Sequence, residues 1–234
     1  MIRKIKDVIL AIVFNKISAT ILLKPLLYLH SVSYNFSGRY AGILNNGIHP
    51  KHAIMKYKEW FVDNIDKDWV VLDVGSNKGV MTFFLSQNTK FVYGIEIVPK
   101  LVEFSVRKNQ GKNIEYICAD ATNFDFSNIH EIDCITLSNV LEHVDDRVNF
   151  LTSLLNKVKW KGQKRFLIRV PTIDRDWISV YKKNINMEYR LDHTHFIEYT
   201  LKEFQNELNR SGIKINNFKI KFGEIYAVCT GLSK

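Results

Sequence analysis

Two carboxylates and a glycine turn are the residues here whose types and spacing can do chemistry. Asp73 lies near the end of the apolar run Trp69 to Val74, and Gly75-Ser-Asn-Lys-Gly79 follows directly. Strand, glycine turn and helix in that order build a nucleotide-cofactor site at the carboxyl edge of a parallel sheet. Glu96 closes the next apolar run, Phe91 to Ile95. An acid about 20 residues beyond the turn can accept both hydroxyls of an adenosine ribose. The turn is not a dinucleotide turn. Those need G-x-G-x-x-G, so that backbone and helix N-terminus approach a pyrophosphate, whereas this one reads G-x-N-x-G with Asp73 just before it. An acid there repels a pyrophosphate and tolerates a cofactor carrying a sulfonium and an amino group. Asn77 can stand for a central glycine because Asn enters the left-handed region more readily than most residues.

The stretch Asp73 to Gly79 resembles motif I of class I S-adenosylmethionine-dependent methyltransferases. That resemblance implies S-adenosyl-L-methionine as cofactor. Asp73, Gly75, Asn77 and Gly79 would form the turn around it, and Glu96, with Ile97 beside it, would serve the ribose. Asp120, with the backbone of Ala121, would serve the adenine. By itself an acid after a strand is also an ordinary turn or N-cap residue.

Ile135-Thr-Leu-Ser-Asn-Val-Leu-Glu-His-Val144 resembles the segment after the fourth strand in small-molecule O-methyltransferases of the ubiquinone-biosynthesis type and their relatives acting on sugars. It implies that Asn139 lines the methionine part and that Glu142 and His143 lie where an acceptor enters. Some relatives carry Glu-x-x-Glu-His here and hold a divalent metal. This chain has Asn139 at the first Glu position, and the loss of a hard anionic ligand weakens a Mg²⁺ site, so no metal is expected. A further segment reads Arg190-Leu-Asp-His-Thr-His-Phe196. His193 and His195, two apart, point to opposite sides of an extended chain, and Asp192 can orient either ring. O-methylation usually needs a base, and histidine titrates near neutrality. His143, then His195 and His193, are the candidates. Each also has a structural alternative, in capping or packing.

The elements that must position these groups alternate regularly. Strands are expected at 69–74, 91–96, 113–118, 132–138 and 165–170, with helices at 79–88, 99–109 and about 145–158 between them. A polar insertion covers 171–200. A helix at 200–211 precedes strands 213–221 and 225–230, whose short turn near Gly223 makes an antiparallel hairpin. The fold class is α/β: a Rossmann-like methyltransferase fold with a seven-stranded, mostly parallel sheet, a C-terminal antiparallel hairpin and an N-terminal helical extension. Residues 57–234 are read as the cofactor-binding domain, and residues 1–56 as a helical extension and lid.

The extension has its own chemistry. Residues 1–24 show helical apolar spacing broken by bases, with Pro25 set to end or kink the helix. A helix lying on a membrane face and a helix packed on protein both fit. A second helix is expected over Ala53 to Ile65. The net charge of +9 is concentrated in this third, where Asp7 and Glu59 are the only acids before Trp60. That suits anionic partners or a solvated basic face. Cys118, Cys134 and Cys229 stand alone in apolar runs and read as buried thiols of a reducing compartment. The expected location is cytoplasmic, with peripheral membrane contact through the extension. The expected reaction is O-methylation of a sugar, glycan or other small molecule. The region Arg39 to Phe61 resembles methyltransferases of polysaccharide assembly. RNA methylation and non-catalytic cofactor binding are the alternatives. Nucleic acid is disfavoured because Ser-Asn-Val-Leu stands where base N-methylases carry Asn/Asp-Pro-Pro-Tyr.

Overall fold

The computed structural model describes residues 13–232. The apolar spacing read in residues 1–12 lies outside them. Helix α1 spans Lys16–Leu44, opened by a capping box in which Asn15 Oδ1 accepts from the backbone N–H groups of Ile17 and Ser18 at 2.9 and 3.0 Å. Pro25 sits inside α1. Of the two outcomes expected at Pro25, an end or a kink, the end is ruled out: proline removes one helical hydrogen bond, and the helix continues past it. Helix α2 (Pro50–Met55) and α3 (Tyr57–Val62) replace the single helix expected at 53–65. Lys56 between them is left-handed, with φ 49°, and no regular helix passes through that conformation.

The chain forms two compact units, residues 1–55 and 56–234. In the first, α1 is mostly apolar and exposed, with Ile17, Ile21, Leu26, Leu29, Ile43 and Leu44 all open to solvent. Among the described residues no helix is long and apolar enough to cross a membrane.

The second unit holds the sheet. Strand β1 (Val70–Val74) is followed by α4 (Val80–Ser86), β2 (Phe91–Glu96), α5 (Pro99–Lys108), β3 (Ile114–Cys118) and β4 (Ile132–Ser138). Then come α6 (Arg147–Lys157), β5 (Trp160–Pro171), α7 (Trp177–Asn184), α8 (Leu201–Arg210), β6 (Ile213–Lys221) and β7 (Glu224–Gly231). The strand order is β3-β2-β1-β4-β5-β7-β6. Strands β1 to β5 pair in parallel, while β7 is antiparallel to both β5 and β6. This is the Rossmann-like methyltransferase order, with the hairpin closed by Phe222-Gly223, both at positive φ. Central strands are apolar on both faces because helices cover both, as for Val71, Leu72, Ile135 and Leu137. Strand β3 is an edge, and Cys118 at its end is exposed, which corrects the expectation of three buried thiols. The polar insertion is partly helical, through α7, which Asp176 caps by accepting from Ser179 N–H at 2.7 Å.

Strand order reverses between β1 and β4, which run parallel: the chain moves outward from β1 to β2 and β3, then returns to β4 on the other side of β1. At the carboxyl ends of such neighbours the connections diverge and leave a crevice.

Candidate active site

The turn after β1 folds back onto β2: the N–H groups of Gly75 and Ser76 both donate to Ile95 O, at 2.8 and 2.9 Å. Its conformation alternates, with Gly75, Asn77 and Gly79 at φ 74°, 51° and 73°. A Cβ on Gly75 would lie 2.6 Å from Val140 Cγ2, and one on Gly79 2.6 Å from Tyr116 Oη. Neither position accepts a side chain; at Gly75 this leaves the backbone bare where a ligand can come close, and at Gly79 it lets the turn pack on Tyr116 and Ser105. Asn77 takes the left-handed place read from the sequence.

Glu96 is buried and joins two elements. Its Oε2 accepts from Asn77 N–H at 2.9 Å, and its Oε1 accepts from Val98 N–H at 2.9 Å, just before α5. A carboxylate offers about four acceptor sites, so capacity for a diol remains. Asp73 has a different setting. Thr82 and Thr136 donate to its two oxygens at 2.7 and 2.8 Å. Burial pushes its carboxyl up to about 6, against the pull of those hydroxyls.

A cavity of about 1110 Å³ opens beside the turn. Gly75, Asn77, Glu96, Ile97, Asp120, Ala121, Asn139 and His143 line it; Asp73, Gly79, His193 and His195 do not. Asp73 therefore ties β1 to α4 and β4 underneath the turn. Asp120 accepts from the backbone and hydroxyl of Thr122 at 2.9 and 2.7 Å, and these bonds hold its carboxyl below the usual range. Ile97 is exposed on the wall, an apolar face suited to a flat ring. Sequence reading missed Phe150, Ser153 and Lys157, which line one face of α6, and Phe196. The α6 residues were open to detection, because positions three and four apart share a face. Phe196 is placed by its N–H donating to Glu142 O at 2.7 Å, across a separation that leaves no local signal.

Asn139 follows β4 in the left-handed region, φ 57°. Its Oδ1 accepts from Arg169 Nε at 2.9 Å. Arg169 is buried, lies 2.6 Å from Glu224, and stacks 4.2 Å above the Tyr57 ring. Burial, opposed by Arg169, raises the Tyr57 phenol.

Beyond Asn139 three groups gather. His143 is exposed on the cavity wall, and His195 is buried with its ring 4.7 Å away, edge to face. His193 is 89% exposed and turned outward. The alternation of the two insertion histidines appears, on a turn rather than an extended segment, since His195 N–H donates to Asp192 O at 3.1 Å. Burial and the neighbouring His195 hold His143 below its ordinary value. Glu142, beside it, is fully buried, and burial pushes its carboxyl up to about 8. Orientation of His195 falls to Glu198, at 3.3 Å, instead of Asp192. Burial works to raise Glu198, but His195, the Leu191 N–H and Arg175 outweigh it, and the group stays ionised.

Comparison with known proteins bears on the cavity. Residues 72–164, which carry the turn, Glu96, Asp120 and His143, match the family described as methyltransferase domain. By that match residues 72–164 carry a methyltransferase domain, with S-adenosylmethionine as cofactor. An uncharacterized RNA methyltransferase of Oceanobacillus iheyensis is 41% identical over 61 residues, which is 25% of this chain and 13% of that protein. Two further curated relatives are matched over 37% and 28% of their lengths, so the chain corresponds to a minor part of each. Among solved structures, magnesium protoporphyrin IX methyltransferase of Synechocystis, with bound S-adenosylhomocysteine, superposes with a TM-score of 0.58 at 16% identity, covering 77% of this chain and 83% of that one. The 1,6-didemethyltoxoflavin-N1-methyltransferase of Burkholderia thailandensis gives 0.57 at 16%, covering 88% and 89%. At such identities the superpositions establish the fold of the methyltransferase domain.

The cofactor fits the residues present. The bare backbone at Gly75 admits a close ligand, Glu96 retains acceptor capacity for ribose hydroxyls, and Asp120 with Ile97 offers an acceptor and an apolar face for adenine.

Proposed function

We propose that this protein transfers a methyl group from S-adenosylmethionine to a hydroxyl of a small molecule, sugar or glycan, with His143 as the group that meets the acceptor. The observation that carries this reading is one continuous cavity running from Gly75, Glu96 and Asp120 to His143. When bound, S-adenosylmethionine supplies a methyl group activated by its positive sulfur. The chain's own part is threefold. Glu96 and Asp120 fix the adenosine end, Asn139 is held by Arg169 at the turn after β4, and His143 faces the space where a hydroxyl must lose its proton. Among the three histidines only His143 lines the cavity; His195 stands behind it, and His193 takes no part. Placing acceptor and methyl in line supplies much of the acceleration.

The same reading includes peripheral membrane contact through α1, supported by its exposed apolar residues and by the absence of any acid between Asp7 and Glu59. Methylation of RNA is the competing reading, favoured by the Oceanobacillus relative and by the net charge of +9. Incubation with labelled cofactor against sugars, nucleotide sugars, quinols and RNA, with product mass spectrometry, separates the two. A methylated hydroxyl on a small acceptor supports the proposal, and label in RNA alone overturns it.

A further inference from the structure

We propose that Thr194 and Asp192, on the polar insertion, are positioning residues for His143. They form a carboxylate–hydroxyl–imidazole relay that keeps the ring proton on Nδ1 and leaves Nε2 with the free lone pair. The inference rests on the methyl-transfer reading for its effect on turnover, but not for the state of the ring.

The direction of each bond follows from the protons available. Thr194 has a single hydroxyl proton, and Oγ1 donates it to Asp192 Oδ1 at 2.8 Å. An ionised carboxylate can only accept. The Asp192 carboxyl is held below the usual range by the N–H of Thr194, at 2.9 Å, and by this hydroxyl. With its proton placed there, Thr194 Oγ1 meets His143 Nδ1 at 3.0 Å as an acceptor, so Nδ1 carries the hydrogen. A neutral imidazole has one N–H, and Nε2 is therefore the basic nitrogen. The Asp192–Thr194 half is an ordinary local turn. The half that reaches His143 crosses 51 residues and joins the insertion to the short helical turn Leu141–His143.

Backbone bonds hold the two segments in this register. Phe196 N–H donates to Glu142 O at 2.7 Å, next to His143, and His195 N–H donates to Asp192 O at 3.1 Å. Arg190 Nη1 closes the turn by donating to His195 O at 2.8 Å. The charged and titratable groups around the ring are few. Glu142 precedes it, His195 stands edge to face with Glu198 behind, and Asp192 lies beyond Thr194 with His193 3.5 Å away. Burial and His195 make His143 less basic, while Asp192 and Thr194 work the other way. When an acceptor hydroxyl gives its proton to Nε2, the ring holds a proton on each nitrogen and one positive charge. Thr194 then accepts a charge-assisted bond from Nδ1, with a carboxylate one hydroxyl away. The ring is reset when the Nε2 proton leaves to solvent.

The test uses the full chain labelled with heavy nitrogen at histidine, the His143 ring signals being those lost in His143→Ala. Long-range proton–nitrogen spectra of the neutral ring should show an Nδ1–H tautomer in wild type and in Thr194→Ser, which keeps the hydroxyl. Thr194→Val keeps the shape without the hydroxyl; it should lose that preference, and its His143 should titrate at lower pH. Asp192→Asn, whose amide oxygen still accepts from Thr194, should keep the tautomer and also titrate lower. Circular dichroism of each variant confirms that it is folded. An Nε2–H ring in wild type, or the same tautomer and titration in wild type and Thr194→Val, overturns the proposal. On a hydroxyl acceptor found by the mass-spectrometric screen, Thr194→Val should turn over about 10-fold more slowly, the loss of one charge-assisted bond, and Thr194→Ser should recover. Label found in RNA alone defeats the small-acceptor reading, while the ring spectra still decide this one.

Discussion

Replacing Glu96 with alanine removes the one carboxylate that bridges the glycine turn, α5 and the cavity. Affinity for S-adenosylhomocysteine should fall by about 1.5–3 kcal/mol, the worth of a charge-assisted hydrogen bond. Calorimetric titration measures it, and unchanged affinity in a folded variant removes Glu96 from the cofactor site. His143→Ala should lower turnover about 10²–10⁴-fold while cofactor affinity holds, and His193→Ala should leave both alone. Asp73 gives a pH signature. Its carboxyl is raised from 3.8 to about 6 in the fold, mainly by burial, so the folded state holds its proton more tightly than the unfolded one. Its contribution to stability is full below about pH 4 and is lost as pH rises through 6, by at most about 3 kcal/mol. Urea titrations between pH 4 and 7 should show the advantage of wild type over Asp73→Asn shrinking with pH. An advantage that grows would refute the raised value.

At the scale of elements, the turn after β1 is held by sterics as much as by hydrogen bonds. Gly75→Ala forces a side chain into a left-handed residue and against Val140, and should lower folding stability by roughly 1–3 kcal/mol. Adding Val140→Ala relieves the contact but not the backbone, so a partial rescue in thermal melts is the expected result. All seven strands were legible in the sequence, most as short apolar runs between turn residues and β6 by its alternation of apolar and polar residues before the turn at Gly223. Helix boundaries in the extension were less so. Pro25 reads as an end or a kink, yet the helix capped by Asn15 runs on past it, and the break at Lys56 has no glycine or proline to announce it. In the site, Glu96 could be placed from its spacing to the glycine turn, and Asn139 from the resemblance of the segment after the fourth strand. The meeting of His195 with His143, and the bond from Phe196 N–H to Glu142 O, depend on chain folding back from far away. No local pattern encodes them.

At the scale of the whole molecule, the two units carry different surfaces. If the first unit lies on anionic lipid, full-length protein should co-sediment with vesicles containing phosphatidylserine and be released as salt rises. A chain lacking residues 1–24 should stay in the supernatant, and equal sedimentation of the two would remove the membrane role. The second unit has a property of timing. Strand β7 is made after β6 but lies inside it, between β6 and β5. Until residues 224–231 have left the ribosome, β5 keeps an open edge and β6 has no partner in the sheet. An unpaired edge recruits other chains. Synthesis therefore holds the nearly finished domain in its most adhesive form until the last strand arrives, and the wall behind Asn139, built from Arg169 of β5 and Glu224 of β7, closes only then.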